Sequence, residues 1–364
     1  MSIRQRTIWL MFHRWAGLIL GVVLSILGVT GTILVFDAEI DAALNPSLMK
    51  VTPAGDIKPF DDIVKAAAAA YPGTTPRYFE RRSDAVDEAF KVVLRSPSGE
   101  EVQTFVDPYT LAVLGERSGL SGVALARQIH GYLLMGDFGR NLVGALSIVF
   151  IFFFIAGLVL WWPSKGGFGR ALSVKWTSEP PRLMRELHNV VGAPLFVFLM
   201  AATVTVPPIV WKFTSPANAP AAGGPPGGRG GEQAAPVNRT PISWQQAADV
   251  AAAQVPGQYV GFTLLNEGAR PLYMVRFWPK GQVATVSEMT NVFIEPYSGR
   301  FLRAQGPAEF TALSLVQADF AANIHSGFVA GMPGRIIMAL AGIAFPVLFV
   351  TGLALCMLKR RRLP

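Results

Sequence analysis

The chain has 364 residues, is 51% hydrophobic and only 15% charged, and has a mean hydropathy of +0.38. A soluble domain carries about 25% charged residues; here the apolar excess sits in four blocks, which excludes an ordinary soluble enzyme. A single cysteine excludes an intramolecular disulfide, a cysteine-ligated zinc site and an iron–sulfur cluster.

Four runs carry no charged residue: Trp15–Phe36, Asn141–Trp162, Asn189–Trp211 and Ile336–Leu358, each 22 or 23 residues long. About 20 apolar residues cross a hydrocarbon core, and backbone polar groups in lipid must be satisfied internally, so four transmembrane helices are predicted. In chain order, residues 1–36 are an N-terminal arm and the first span. Residues 37–120 form a first small α+β domain, and 121–163 an outer helical segment and the second span. A cytoplasmic loop covers 164–187, the third span 188–212 and a Pro/Gly-rich linker 213–240. A second α+β domain covers 241–320, and residues 321–364 supply another outer segment, the fourth span and a basic tail. The first apolar run is too long for a cleaved signal peptide and is followed by Asp37, Glu39 and Asp41, so it reads as a permanent span.

The net charge of +8 is mostly topological. Arg4, Arg6 and Arg14 precede the first span, Lys165, Arg170, Lys175, Arg182 and Arg185 lie between the second and third, and Lys359 to Arg362 follow the last. All three segments fall on one side of a four-span chain, which the positive-inside rule makes cytoplasmic. Both small domains then face outward, into the periplasm of a Gram-negative cell. No basic groove with interleaved aromatics is visible, so nucleic acid is not an expected partner.

The chain reads as an internal duplication. Thr30 lies 17 residues after His13, and Thr205 lies 17 after His188. His130 is followed by Arg140 after ten residues and Gly157 after 27; His325 is followed by Arg335 after ten and Gly352 after 27. Between spans, a helix near 59–70 and strands near 77–82, 88–95, 101–106 and 111–116 are matched by a helix near 243–254 and strands near 258–265, 271–278 and 289–294. Asp107-Pro108-Tyr109-Thr110 corresponds to Glu295-Pro296-Tyr297-Ser298.

The only histidines are His13, His130, His188 and His325, each at or just before the start of a span. One interfacial histidine is more often a headgroup or capping residue. Four in a repeated pattern point to ligation of metal from facing helices. Depth pairs His13 with His188 and His130 with His325, as axial ligands of two haem irons. With one cysteine there is no Cys-x-x-Cys-His site, so both are non-covalent haem b. Gly17 and Gly192, each four residues after a histidine, leave room for a flat macrocycle or allow close helix packing. Gly21, Gly131, Gly327 and Gly331 read the same way. Arg140 and Arg335, with Arg127, Arg14 and Arg185, are candidate propionate partners or interfacial anchors. From His130 to Trp162 is 32 residues, about 48 Å as one helix, so a break at Gly136-Asp-Phe-Gly139 is expected, leaving His130 on an outer segment.

At these residues the chain resembles the PepSY-associated transmembrane family, often labelled iron-regulated membrane proteins. The resemblance rests on His13-Arg-Trp-Ala-Gly-Leu, Thr30-Gly-Thr-Ile-Leu-Val-Phe-Asp-Ala-Glu-Ile-Asp with Asn45-Pro46, His130 through Arg140-Asn-Leu-Val-Gly, Ala156-Gly-Leu-Val-Leu-Trp-Trp-Pro163 and the His188 segment. The second half departs from the pattern: Val206 replaces the glycine after Thr205, and Pro207-Pro208 interrupts the third span. The resemblance implies an α-helical four-span membrane protein with two outward PepSY-like domains. In some members two haems reduce ferric iron in siderophores, and the family histidines map onto His13, His130, His188 and His325. The implied protein sits in the bacterial inner membrane among lipid, with both termini cytoplasmic. The hypothesis built on this is that the protein takes electrons from a cytoplasmic or quinol donor and passes them to a ferric siderophore, with Tyr109, Tyr297 and Arg300 as guesses for acceptor contacts. The rival readings are a non-enzymatic PepSY scaffold that binds a periplasmic partner, and an iron or siderophore permease, for which few polar residues lie within the spans.

Overall fold

The computed structural model describes the chain except for residue 1 and residues 82–84, 118–120, 164–166, 212–239, 256–257, 266–271, 279–289, 307–317 and 361–364. The expected linker therefore lies almost wholly outside the described residues, as does the end of the basic tail. In chain order the elements are α1 (Ile3–Val35), α2 (Asp37–Leu44), α3 (Pro46–Met49), α4 (Phe60–Ala70), β1 (Thr75–Glu80), β2 (Phe90–Arg95), β3 (Glu101–Val106), β4 (Val113–Glu116), α5 (Gly122–Tyr132) and α6 (Gly136–Trp161). They continue with α7 (Phe168–Ala171), α8 (Pro180–Val204), α9 (Val206–Trp211), α10 (Trp244–Ala252), β5 (Gln258–Leu265), β6 (Leu272–Trp278), β7 (Thr290–Ile294), β8 (Phe301–Gln305), α11 (Ala318–Ser326) and α12 (Gly331–Arg360). Two compact units result, one helical and one built on a sheet.

Four helices of the first unit are long and apolar enough to cross a membrane: Ile3–Val35, Gly136–Trp161, Pro180–Trp211 and Phe328–Leu358. α1 and α8 begin well before their apolar runs, because Ser2 and Gln5 form a capping box on α1 and Pro180 opens α8. The helices close a ring in which α1 packs on α12, α12 on α8, α8 on α6 and α6 on α1, so α1 faces α8 across the middle. Ile19, Ile26 and Val29 lie exposed along the outer side of α1, which suits lipid. Where α1 crosses α12, a Cβ on Gly342 would come within 2.6 Å of the Gly28 carbonyl, so only glycine permits this approach. Thr32 Oγ1 donates to the Ala339 carbonyl at the same crossing (3.0 Å).

The break expected before the second span is present. α5 ends at Tyr132, Leu133 and Leu134 take positive φ (47° and 61°), and α6 restarts at Gly136. In the fourth span the chain turns at Gly327 (φ 81°) and Gly331 (φ 59°) between α11 and α12. The third span breaks at Thr205, just ahead of Pro207-Pro208, and α9 continues from Val206.

In the second unit the eight strands form one antiparallel sheet in the order β4-β3-β2-β1-β5-β6-β7-β8. The sequence suggests two separate small domains; here their sheets are continuous. β1 and β5 pair through Tyr78↔Thr263, Phe79↔Phe262 and Glu80↔Gly261. Pairing removes two open edges and stacks Phe79 on Phe262, with ring centres 5.8 Å apart and 7° between planes. The shared core on that face contains Ile63 and Ala67 of α4, Ala247 and Ala251 of α10, and Phe90, Val92, Val275 and Val292 of the strands. The two helices cap each other: Asp61 accepts from the Trp244 and Gln245 backbone N–H groups (both 3.0 Å), and Gln245 Oε1 accepts from Phe60 N (3.3 Å). β8 has no counterpart among the strands expected from sequence.

Candidate histidine site

α1 and α8 carry His13 and His188 to the same level inside the helical unit, and the ring centres stand 6.3 Å apart with planes at 87°. α5 and α11 bring His130 and His325 together at 5.9 Å and 63°. His130 packs beside Leu27 and Thr30 of α1. Along α1 these residues lie 14 and 17 positions after His13, about 21–26 Å.

Hydrogen bonds assign the tautomers. His13 Nδ1 meets the Phe153 carbonyl (3.2 Å), His130 Nδ1 the Leu27 carbonyl (2.8 Å) and His325 Nδ1 the Ala202 carbonyl (2.7 Å). A carbonyl only accepts, so each Nδ1 carries the proton and each Nε2 keeps its lone pair. His188 Nδ1 meets Thr351 Oγ1 (2.9 Å), and that hydroxyl lies within donating distance of the Val347 carbonyl (2.8 Å) and the Leu348 carbonyl (3.1 Å) of its own helix. Its single proton goes to the helix, so it too accepts from imidazole. The two upper histidines have matching surroundings. Thr30 and Thr205 hydroxyls lie 3.4 and 3.1 Å from their Nδ1 atoms, and each carbonyl partner is 14 residues beyond a lower histidine.

Glycines admit the rings. A Cβ on Gly157 would stand 3.0 Å from His13 Cε1 and one on Gly31 2.8 Å from His130 Cε1, both too close, whereas one on Gly352 would make an ordinary contact 3.6 Å from His188 Cε1. Around the lower pair a cavity of about 800 Å³ opens between α1, α6, α8 and α12, within the size range of cofactor pockets. Gly17 and Gly192 line it, with Phe153 and Leu348 across from them. Its charged lining residues are Arg6, Arg14 and Arg185, with no carboxylate among them.

This donor set fits a haem. Among the described residues no cluster of three or more His, Cys, Asp or Glu forms a metal site, so a bare ion at either pair would find two protein ligands, the number that porphyrin iron requires. A metal–imidazole bond of about 2 Å, with about 1 Å from nitrogen to ring centre on each side, gives a centre-to-centre span of about 6 Å. Both pairs have that span.

Other candidate residues have different tasks. Arg140 donates to the carbonyls of Ile209 and Val210 (3.0 and 3.1 Å), at the end of α9. Arg335 is buried, donates to the Val35 carbonyl at the end of α1 (2.7 Å) and lies over the Phe36 and Phe328 rings. The sequence makes both of them candidate propionate partners or interfacial anchors, and in the structure both bond carbonyls at helix ends, where orphan carbonyls attract cations. Arg127 pairs with Asp37. Tyr109 is buried with its hydroxyl on the Val86 carbonyl (2.7 Å), which makes it a structural residue rather than an acceptor contact. Sequence reasoning passed over Arg6, although it stands seven positions before His13 on one helix face and that spacing is a usable signal. Phe153, Leu27 and Ala202 act through backbone carbonyls, which leave no trace in side-chain identity.

Long apolar helices around half-buried, paired histidines, joined in one chain to an antiparallel sheet, define a four-span helical membrane protein. Within that class the chain belongs to the PepSY-associated TM region family, whose model matches residues 10–360. No curated protein matches it. Among solved structures it is similar to a Clostridium difficile 630 protein, provisionally described as a lipoprotein, at 10% identity and a TM-score of 0.29, covering 70% of this chain and 98% of that one. A likeness of that size carries no argument.

Proposed function

We infer that the protein is a di-haem electron carrier of the bacterial inner membrane. It takes electrons from a cytoplasmic or quinol donor, such as a reduced flavin or flavoprotein, and delivers them to a ferric siderophore at the periplasmic face. The observation that carries this reading is the set of four inward histidines in two pairs, every Nδ1 already bonded and every Nε2 free to ligate. The matched offsets of both pairs also support an origin by duplication, with each half supplying one ligand to each haem.

His13 and His188 hold the lower haem and His130 and His325 the upper one. Haem supplies a one-electron couple, whose potential the protein sets by axial ligation, burial and nearby hydrogen bonds. The apolar walls from Phe153, Phe154 and Leu348 exclude water. Arg14 and Arg185, with Arg6, give the lower cavity a positive mouth suited to carboxylates. That mouth carries the basic residues which, by the positive-inside rule, mark the cytoplasmic side. Ferric iron gains one electron and is released, because Fe(II) binds hard oxygen donors less strongly. No acid, base or nucleophile is required of the chain.

The test is titration of the detergent-solubilised apoprotein with hemin. Saturation near two per chain, with a low-spin bis-imidazole spectrum, is expected. A chain that takes up no hemin, or binds it only as a high-spin mono-imidazole form, contradicts the reading.

A further inference from the structure

His13 Nδ1 has a backbone carbonyl alone, and His130 and His325 have a carbonyl with a threonine hydroxyl beside it, whereas the partner within hydrogen-bond distance of His188 Nδ1 is the Thr351 hydroxyl at 2.9 Å, with a backbone contact to Leu348 beside it. We propose that Thr351 is a positioning residue that holds His188 in its ligating tautomer and makes it a different ligand from His13. The proposal rests on the reading of this pair as a haem site. It also makes a claim about the haem-free chain.

The two halves provide the comparison. Gly157 faces the His13 ring, and Gly352 faces the His188 ring. Four residues before each stand Phe153 and Leu348, and one residue before each stand Ala156 and Thr351. Ala156 is fully buried and has no hydroxyl, so His13 is left with the Phe153 carbonyl at 3.2 Å. Thr351, only 5% exposed, puts Oγ1 2.9 Å from His188 Nδ1. Its hydroxyl proton is spent on α12, on the carbonyls of Val347 and Leu348. A hydroxyl that donates to a carbonyl is polarised into a better acceptor. The partner on the remote nitrogen of a ligating imidazole fixes the tautomer and its basicity, so the lower pair consists of two unlike ligands.

The experiment compares Thr351→Val with Thr351→Ser. Valine keeps the shape and puts a methyl group where the acceptor was, while serine keeps the hydroxyl. In the first arm the haem-free chain is labelled with 15N-histidine, and its four histidines give few enough signals to assign by single replacement. Wild type and Thr351→Ser are expected to show His188 protonated at Nδ1 alone. Thr351→Val is expected to show both neutral tautomers at His188 and no change at the other three. A His188 that stays a single Nδ1–H tautomer in Thr351→Val overturns the proposal. In the second arm the hemin-loaded protein is titrated electrochemically. Thr351→Val should raise one of the two midpoint potentials and leave the other in place, with Thr351→Ser like wild type. Two unmoved midpoints, a lowered one, or a shift of both overturn it. If the ring signals behave as stated while hemin fails to bind, the haem reading falls and the assignment of Thr351 to His188 stands. A threonine that only packed would change the melting temperature without moving either readout.

Discussion

Each histidine has an acceptor on Nδ1, and His13, His130 and His188 also have a glycine against the ring edge. The glycines therefore test the account without touching a ligand. Gly157→Val, whose Cβ would sit 3.0 Å from His13 Cε1, should cost the lower haem only, and Gly31→Val, with Cβ 2.8 Å from His130 Cε1, the upper one only. Hemin content near one per chain in each variant, with the remaining spectrum bis-imidazole, is the expected result; two per chain in both would mean the rings are free to move aside. The histidines and their spacing were legible in the sequence because titratable groups at span ends are rare. Gly157 and Gly352 were visible as repeat positions, but their role against the rings was not, since it depends on which helices become neighbours. The carbonyl contacts of Arg140 and Arg335 were not legible in the sequence, because they depend on which helix end comes near, and a buried carbonyl needs a donor whether or not a ligand is close.

Among the elements, the spans and the small helices followed their apolar periodicity closely, and β5 and β6 lie where alternation put them. β8 was missed because Phe301 to Gln305 is a short edge strand whose apolar residues Phe301 and Leu302 both lie exposed, so no alternation marks it. The joining of the two half-sheets was not legible either, because strand partners are chosen by non-local packing and a sequence shows only the strand. Here Phe79 and Phe262 decide it, each fully buried and each stacked on the other. The cross-capping of α4 and α10 then ties the halves a second time. Asp61→Ala removes the acceptor for two backbone N–H groups of α10 and should cost about 0.5–2 kcal/mol. Amide exchange measured through α10 should quicken about 2- to 30-fold, with α1 unaffected. Unchanged exchange in α10 would show that the carboxylate is dispensable there.

Taken as a whole molecule, the chain brings one histidine from each half to each of two levels along α1. Neither half can complete a bis-imidazole pair alone, so the two proposed haem sites depend on how the helices assemble rather than on any local motif. This arrangement makes a sharp distinction between paired and unpaired replacements. Hemin bound per chain should be measured in two double variants, one within a pair and one across pairs. His13→Ala/His188→Ala should retain one bis-imidazole haem, and His13→Ala/His130→Ala should retain none. Equal haem content in the two double variants, or a bis-imidazole spectrum surviving in the second, would contradict the pairing on which the account depends.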